Sequence, residues 1–586
     1  MDPASAGDWR NVIVFAADDE DGNTHMNDAE GLSSLVETNL PRFNIEKIYL
    51  DAFRQVSSVS GQSYPEAETA INNRINAGCL IFNYSGHGNE TGLAHERVVK
   101  TQNINSWRNY SRLPLFITAT CEFGRFDDAE LNPFNGVLTG RNSAGELVLL
   151  NPGGGGIALM TTTRLVYSAP NYTLNRNILD VAFQKDSAGN PLSLGDIIRK
   201  AKNNSGTGMN KRNFTLLGDP ALRLAYPWHG KVITDSINNR SIAFFNDTLK
   251  ALSYVTIAGH IEDNEGLTAE DFNGLVKAIV YDKKKNVLTL ANDGGQPMEF
   301  SIRSSVLFSG RAEAKAGRFR FSFVMPRDID FTFGKGMLNL YANDQGRDMN
   351  GSYSDFITGG FNKNAIADTT GPEIRIFLND TLFRNGDYTD PDPVLLVRIA
   401  DTGGINTTGA GIGHDLTAWL NNDRTSSFIL NNYFETETGD YSKGHLRYPL
   451  YDIPPGLQTV TVRAWDNYNN SATGTLKFFV RTEKGFLLEN LINYPNPFTD
   501  GTSITGSHNR PGTDMTIRIE IADMSGRKIK VIEETIYPEG YKIPPVFWDG
   551  TTEGGKKAGR GIYNYVVTLK TQKGEVARSS GRMIIL

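Results

Sequence analysis

The chain of 586 residues predicts an α/β domain on a parallel sheet, followed by three all-β modules of immunoglobulin-like sandwich type. Three observations predict it. Short apolar runs alternate with helix-length segments in the first part of the chain, helical periodicity stops near Tyr226-Pro227, and short alternating strands with Gly and Asn-Asp turns take over.

Asn11 to Ala17 is a short buried strand ending in the acidic turn Asp18-Asp19-Glu20-Asp21-Gly22-Asn23. Asn27 to Leu40 is a helix, Ile45 to Leu50 a second strand, and Pro65 to Ala77 a helix with Ile71 and Ile75 four apart on one face. Ile81-Phe82-Asn83-Tyr84-Ser85 and Leu115-Phe116-Ile117-Thr118-Ala119 are buried strands, with a helix expected between them over Val98 to Tyr110. Gly156 to Thr163 adds a strand and Leu194 to Lys202 a helix.

The two middle strands deliver reactive side chains just where each run stops: His87 after one, Cys121 after the other. Chemistry in open parallel sheets gathers outside the carboxyl ends of the strands, so paired strands ending in His and Cys make a nucleophile and its base. The 34 residues between them suffice for a crossover with a helix inside it. Neighbouring strands lie about 5 Å apart, within reach of imidazole and thiol. Glycines flank His87, which frees the Gly88 N–H to act with that of Cys121 as an oxyanion hole. Cys79, beside Leu80-Ile81-Phe82, reads instead as a small buried hydrophobe.

Asp18 also comes directly after a strand and is a candidate to orient the His87 ring by accepting its second proton. The alternatives are a solvated acidic turn, or a structural calcium ion held by Asp18, Asp19 and Asp21. Glu122, Asp127 and Arg164 lie past strand ends, where they either shape substrate pockets or pair as exposed ions. His95 and Glu96 share a loop with His87, but no further ligand has the spacing of a zinc site, and no metal is assigned. Asn151-Pro152-Gly153-Gly154-Gly155-Gly156 opens a strand without a Gly-Lys-Ser/Thr ending, so it is a flexible turn rather than a phosphate loop.

The expected division is 1–227 for the α/β domain, then 228–370, 371–482 and 483–586 for the β-modules. His414, between Gly413 and Asp415, has no strand-end nucleophile beside it and reads as a loop residue. Tyr494-Pro495-Asn496-Pro497 marks an edge or entry loop of the last module, since proline cannot donate within a ladder.

Acidic residues outnumber basic ones, 66 to 59, leaving a net charge of −7 without a basic stripe, so nucleic acid is not an expected partner. Two cysteines form no disulfide framework. The start has no basic and apolar leader pattern, and no apolar run reaches the roughly 18 residues of a membrane helix.

The run Asn83-Tyr84-Ser85-Gly86-His87-Gly88, the pair Thr120-Cys121 and the closing Leu216-Leu217-Gly218-Asp219-Pro220 together resemble the gingipain family of cysteine peptidases over residues 9 to 227. The resemblance implies a caspase-like fold, no required cofactor, and His87, Cys121 and Asp18 as catalytic members. Leu93-Ala94-His95-Glu96 and Thr163-Arg164-Leu165-Val166-Tyr167 look closest to the surface sortases of the type IX secretion system within that family. Asn493-Tyr494-Pro495-Asn496-Pro497-Phe498, with Trp548-Asp549-Gly550, resembles the C-terminal signal domain of type IX cargo.

The resemblance thus implies a cell-surface endopeptidase associated with the outer membrane. It would cleave C-terminal signal domains from secreted proteins, pass them to anionic lipopolysaccharide, and dock on an outer-membrane β-barrel. Members of this kind carry an export signal and an earlier half of the catalytic unit, so the chain is expected to be a C-terminal portion. The alternatives are a non-catalytic adhesion module and a general secreted protease.

Overall fold

A computed structural model of the chain describes residues 5–59, 61–127, 129–131, 138–344, 346–408, 413–481, 485–538 and 540–586. Two compact units emerge, Met1–Ala365 and Ile366–Leu586.

The first unit opens with the α/β layer. Its sheet contains β1 (Val12–Ala17), β2 (Asn44–Tyr49), β3 (Ile81–Ser85), β4 (Leu115–Ala119), β5 (Ala158–Thr162) and β6 (Phe214–Leu217) in the order β6-β5-β4-β3-β1-β2. All pairings are parallel except β5 with β6. Every residue of β1, β3, β4 and β5 is buried, as expected of a parallel sheet covered on both faces.

Alternation along β1 sends Ile13, Phe15 and Ala17 to one core and Val12, Val14 and Ala16 to the other. The first core is closed by α1 (Thr24–Asn39), α5 (Ser168–Ala182) and α6 (Leu194–Asn204), through Met26, Leu32, Leu174, Ile178 and Ile197. The second is closed by α2 (Pro65–Ala77), α3 (Thr101–Ser106) and α4 (Ala144–Leu150), through Ile71, Ile75, Ile104 and Val148. Local signals set the helix ends: Pro65 begins α2, Gly78 at φ 90° stops it, and the Ser193 hydroxyl caps α6 by accepting from Asp196 N–H.

Two local expectations change. The crossover helix between β3 and β4 is only Thr101–Ser106, because Gly88–Asn89, Gly92–Leu93 and Val99–Lys100 pair as a small sheet and take up the preceding chain. The glycine-rich loop is packed rather than flexible. Gly155 N–H donates to Asn109 Oδ1 at 2.7 Å, Asn109 Nδ2 donates to Gly155 O at 2.9 Å, and Gly154, Gly155 and Gly156 are buried.

The rest of the first unit is β. Strands β7 (Lys231–Ile237), β8 (Tyr254–Glu262), β9 (Gly274–Tyr281), β12 (Val306–Lys315), β13 (Arg318–Val324), β14 (Met337–Asn343) and β15 (Asp348–Tyr353) lie in one sheet in the order β7-β8-β13-β12-β9-β14-β15, with the short strand Arg240–Ser241 paired to the other side of β7. This first β-module differs from an open sandwich: a parallel bridge from Lys231 to Asn350 joins β7 to β15 and closes the sheet on itself. A separate hairpin, β10 (Lys285–Leu288) with β11 (Glu299–Ile302), leans on the α/β layer, where Phe300 packs against Tyr49 with ring centroids 4.7 Å apart. Arg10 and Asp348 form a buried ion pair at 2.9 Å, and Asn11 exchanges side-chain hydrogen bonds with Asn339 and Asn350 at 2.6 and 2.5 Å.

The second unit holds two further modules, each of two sheets. Four- and five-stranded sheets enclose a core of Val397, Ile399, Val460, Val462 and Phe478. Three- and four-stranded sheets enclose Ile517, Ile519, Val567 and Trp548. Among the described residues no helix is long and apolar enough to cross a membrane.

Candidate active site

The ladder between β3 and β4 runs from Ile81 opposite Leu115 to Ser85 opposite Ala119, and Gly86 N–H extends it by donating to Ala119 O at 3.3 Å. His87 and Cys121 therefore leave the sheet side by side, each two residues past the last pair. The loops touch: a Cβ on Gly88 would lie 2.5 Å from Thr120 Oγ1. With glycine at 88 the Thr120 side chain can lie this close to the backbone that carries one of the expected oxyanion donors.

Cys121 is half-buried and its thiol donates to Val166 O at 3.6 Å. Cys79 is fully buried, and burial pushes its thiol well up, as its apolar context predicted. The His87 ring points to the acidic turn: Nε2 lies 3.1 Å from Asp21 Oδ2 and 3.6 Å from Glu20 Oε2.

Asp18 takes a different place from the one expected of it. Its Oδ2 accepts from the backbone N–H of His87 and from Tyr84 Oη, the latter at 3.3 Å, so it fixes the main chain of the loop rather than the ring. Gly86 makes room for this carboxylate, since a Cβ there would lie 2.6 Å from it. Burial raises the Asp18 pKa well above the usual carboxylate range. The partner of the ring is Asp21, a residue whose sequence context suggested only a calcium ligand.

That calcium set is not formed either, because Asp18, Asp19 and Asp21 face different neighbours. Asp21 joins His25 and His87; Asp19 joins Glu96 and Asp293; and Glu20, His87 and His95 form a third group, with the ligand atoms of each group within 4.8 Å of one another. His95 stacks on His87 at 4.6 Å and bonds through Nδ1 to Glu20 Oε1, while His25 meets the same ring edge-on at 5.1 Å. Sequence spacing argues against metal ligands around His87; these groups are assembled from segments tens of residues apart. His25 carries no sequence signal, being one polar residue in a helix.

Glu122 and Arg164 stand at the ends of β4 and β5 as expected, but each is held in an ion pair. Glu122 Oε1 lies 3.3 Å from Arg125 Nη1, and Arg164 binds Asp127 through both nitrogens at 3.0 and 2.5 Å. His414 packs on Trp465 at 4.2 Å, far along the sequence from any cysteine.

Residues 1–225 match the family model of peptidase family C25. Among solved structures, dimeric latent PorU from Porphyromonas gingivalis is similar at 22% identity and a TM-score of 0.31, over 98% of this chain and 64% of that one. The Arg-specific cysteine proteinase gingipain R is similar at 16% identity and a TM-score of 0.31, over 61% of this chain and 68% of that one. The complex of Porphyromonas gingivalis RgpB pro- and mature domains gives 16% identity and a TM-score of 0.29, over 60% of this chain and 70% of that one. The chain thus spans 64% of the length of the first of these. No curated protein matches it.

Proposed function

We propose that this chain, whose residues 1–225 match the family model of peptidase family C25, acts as a cell-surface cysteine endopeptidase of sortase type on the secreted cargo of type IX export. The observation that carries the reading is the contact of Gly88 with Thr120, which brings the His87 and Cys121 loops together at one rim of the sheet.

In this mechanism His87 accepts the thiol proton as the sulfur attacks the scissile carbonyl. The amides of Gly88 and Cys121 hold the oxyanion, and His87 returns the proton to the leaving amine. The resulting thioester is open to an amine as well as to water, so cleavage of a C-terminal signal domain can end in transfer to anionic lipopolysaccharide. The last β-module is proposed as the part that docks on an outer-membrane β-barrel. Mass spectrometry of cleaved cargo with a supplied amine tests the transfer; an amide-linked product supports it, and products ending only in free carboxylate reject it.

A second reading, an adhesive module without activity, draws on the present hydrogen bonds, because the Cys121 thiol is engaged by Val166 and the His87 ring by Asp21. A thiol-directed acylating probe separates the two: an active site labels Cys121 only when His87 is intact, and the adhesive reading gives no dependence on His87.

A further inference from the structure

Asp293 sits at the tip of the β10–β11 hairpin, beyond the α/β layer in sequence but beside it in space. The tip is held firmly. The Asp51 carboxylate accepts from Ala291 N–H and Asn292 N–H, both at 2.8 Å, and from Asn292 Nδ2 at 2.9 Å. This arrangement sets the Asp293 carboxylate against Asp19, at the end of β1, and Glu96, in the loop after His87, with one oxygen of each within 4.8 Å of the others.

Three carboxylates so close repel one another when charged, and a cation among them would relieve that repulsion. Asp293 is exposed and accepts from the neutral amides of Gln55 and Gln62, at 3.1 to 3.3 Å. Asp19 and Glu96 are 6% and 4% exposed. The Tyr64 hydroxyl occupies Asp19 Oδ2, while Asp19 Oδ1 and Glu96 Oε2 are buried without a hydrogen-bond partner among the described residues. Buried carboxylate oxygens left in this way are costly unless a cation meets them. A cavity of about 240 Å³ lined by Asp19, Asp51, Gln62 and Asp293 adjoins the group and has room for an ion with its waters.

We propose that Asp19, Glu96 and Asp293 bind a calcium ion that fastens the β10–β11 hairpin of the first β-module to the loops framing His87. An all-oxygen donor set of carboxylates without His or Cys suits a hard cation rather than zinc. The three carboxylates come from unrelated segments in an irregular arrangement, which calcium tolerates and the octahedral demand of magnesium does not. The site is independent of the peptidase reading, as its ligands take no part in the proposed chemistry.

Hydrogen exchange on the full chain tests it, after stripping with a chelator and again with about 1 mM calcium. Exchange across Ala291 to Gln296 is expected to slow by about tenfold with calcium, and the protection is expected to vanish in D293N, whose exposed position leaves the fold intact. E96Q should lose it as well. Protection that survives in both variants, equal protection by magnesium alone, or a calcium effect confined to Asp368, Asp401 and Asp466 of the second unit would each overturn the assignment.

Discussion

Thr120 Oγ1 occupies the place where a side chain on Gly88 would begin, 2.5 Å from the ideal Cβ. A Gly88→Ala change must therefore push apart the His87 and Cys121 loops. The expected outcome is a loss of about 100-fold in the rate of acyl-probe labelling at Cys121, with folding retained. Thr120→Ala in the same chain should restore part of the rate by removing the opposing hydroxyl.

The two cysteines differ in surroundings, Cys121 half-buried at a strand end and Cys79 sealed in the core. Iodoacetamide is expected to modify Cys121 at least about 100-fold faster than Cys79 in the folded protein, and mapping by peptide mass spectrometry reads this out. In His87→Ala the Cys121 rate should fall toward that of an unassisted thiol; equal rates in both proteins would remove His87 as the base.

Asp21 is exposed, so replacing it perturbs the ring of His87 without touching the core. Asp21→Ala is expected to lower Cys121 labelling by about tenfold while the melting temperature stays within about a degree or two. An unchanged rate would leave the ring without need of this carboxylate.

The Arg10–Asp348 pair is buried at both ends. Removing the carboxylate takes the buried ion pair from Arg10, so Asp348→Ala is expected to cost about 3–5 kcal/mol in urea unfolding of the first unit. The double change Arg10→Met with Asp348→Leu should recover much of the loss.

His508, 4% exposed, has its pKa lowered to about 4 by burial, from an ordinary 6.5. The unfolded chain binds this proton first as pH falls, so the contribution of neutral His508 to stability is whole above pH 6.5 and is lost between about 6.5 and 4, by up to about 3 kcal/mol. Thermal unfolding measured across that window should show the slope in the native chain and a shallower one in His508→Leu.

The strands that carry the candidate site were legible because strand ends are written in the sequence. Fully buried strands give unbroken apolar runs, and glycine or threonine beyond them shows where the chain leaves the sheet, which suffices to put His87 and Cys121 each two residues past the ends of paired strands. The ring's partner was not legible. Asp21 reaches Nε2 because Asp21 and Asn23 adopt left-handed backbone, φ 55° and 68°, a local choice that no hydrophobic pattern encodes. The α5 helix was hidden by Pro170 and by Asn171, Asn175 and Asn177 interrupting its apolar face. Closure of the first β-module turns on a single bridge between Lys231 and Asn350, more than a hundred residues apart and silent in local sequence.

The seam of Arg10, Asn11 and Tyr49 against Asp348, Asn339 and Phe300 makes the α/β layer inseparable from the first β-module. Cutting after residue 227 would strip a guanidinium of its carboxylate and bare an aromatic face to water. A recombinant front half is thus a recipe for aggregation, and the shortest stretch worth expressing by itself ends near Ala365.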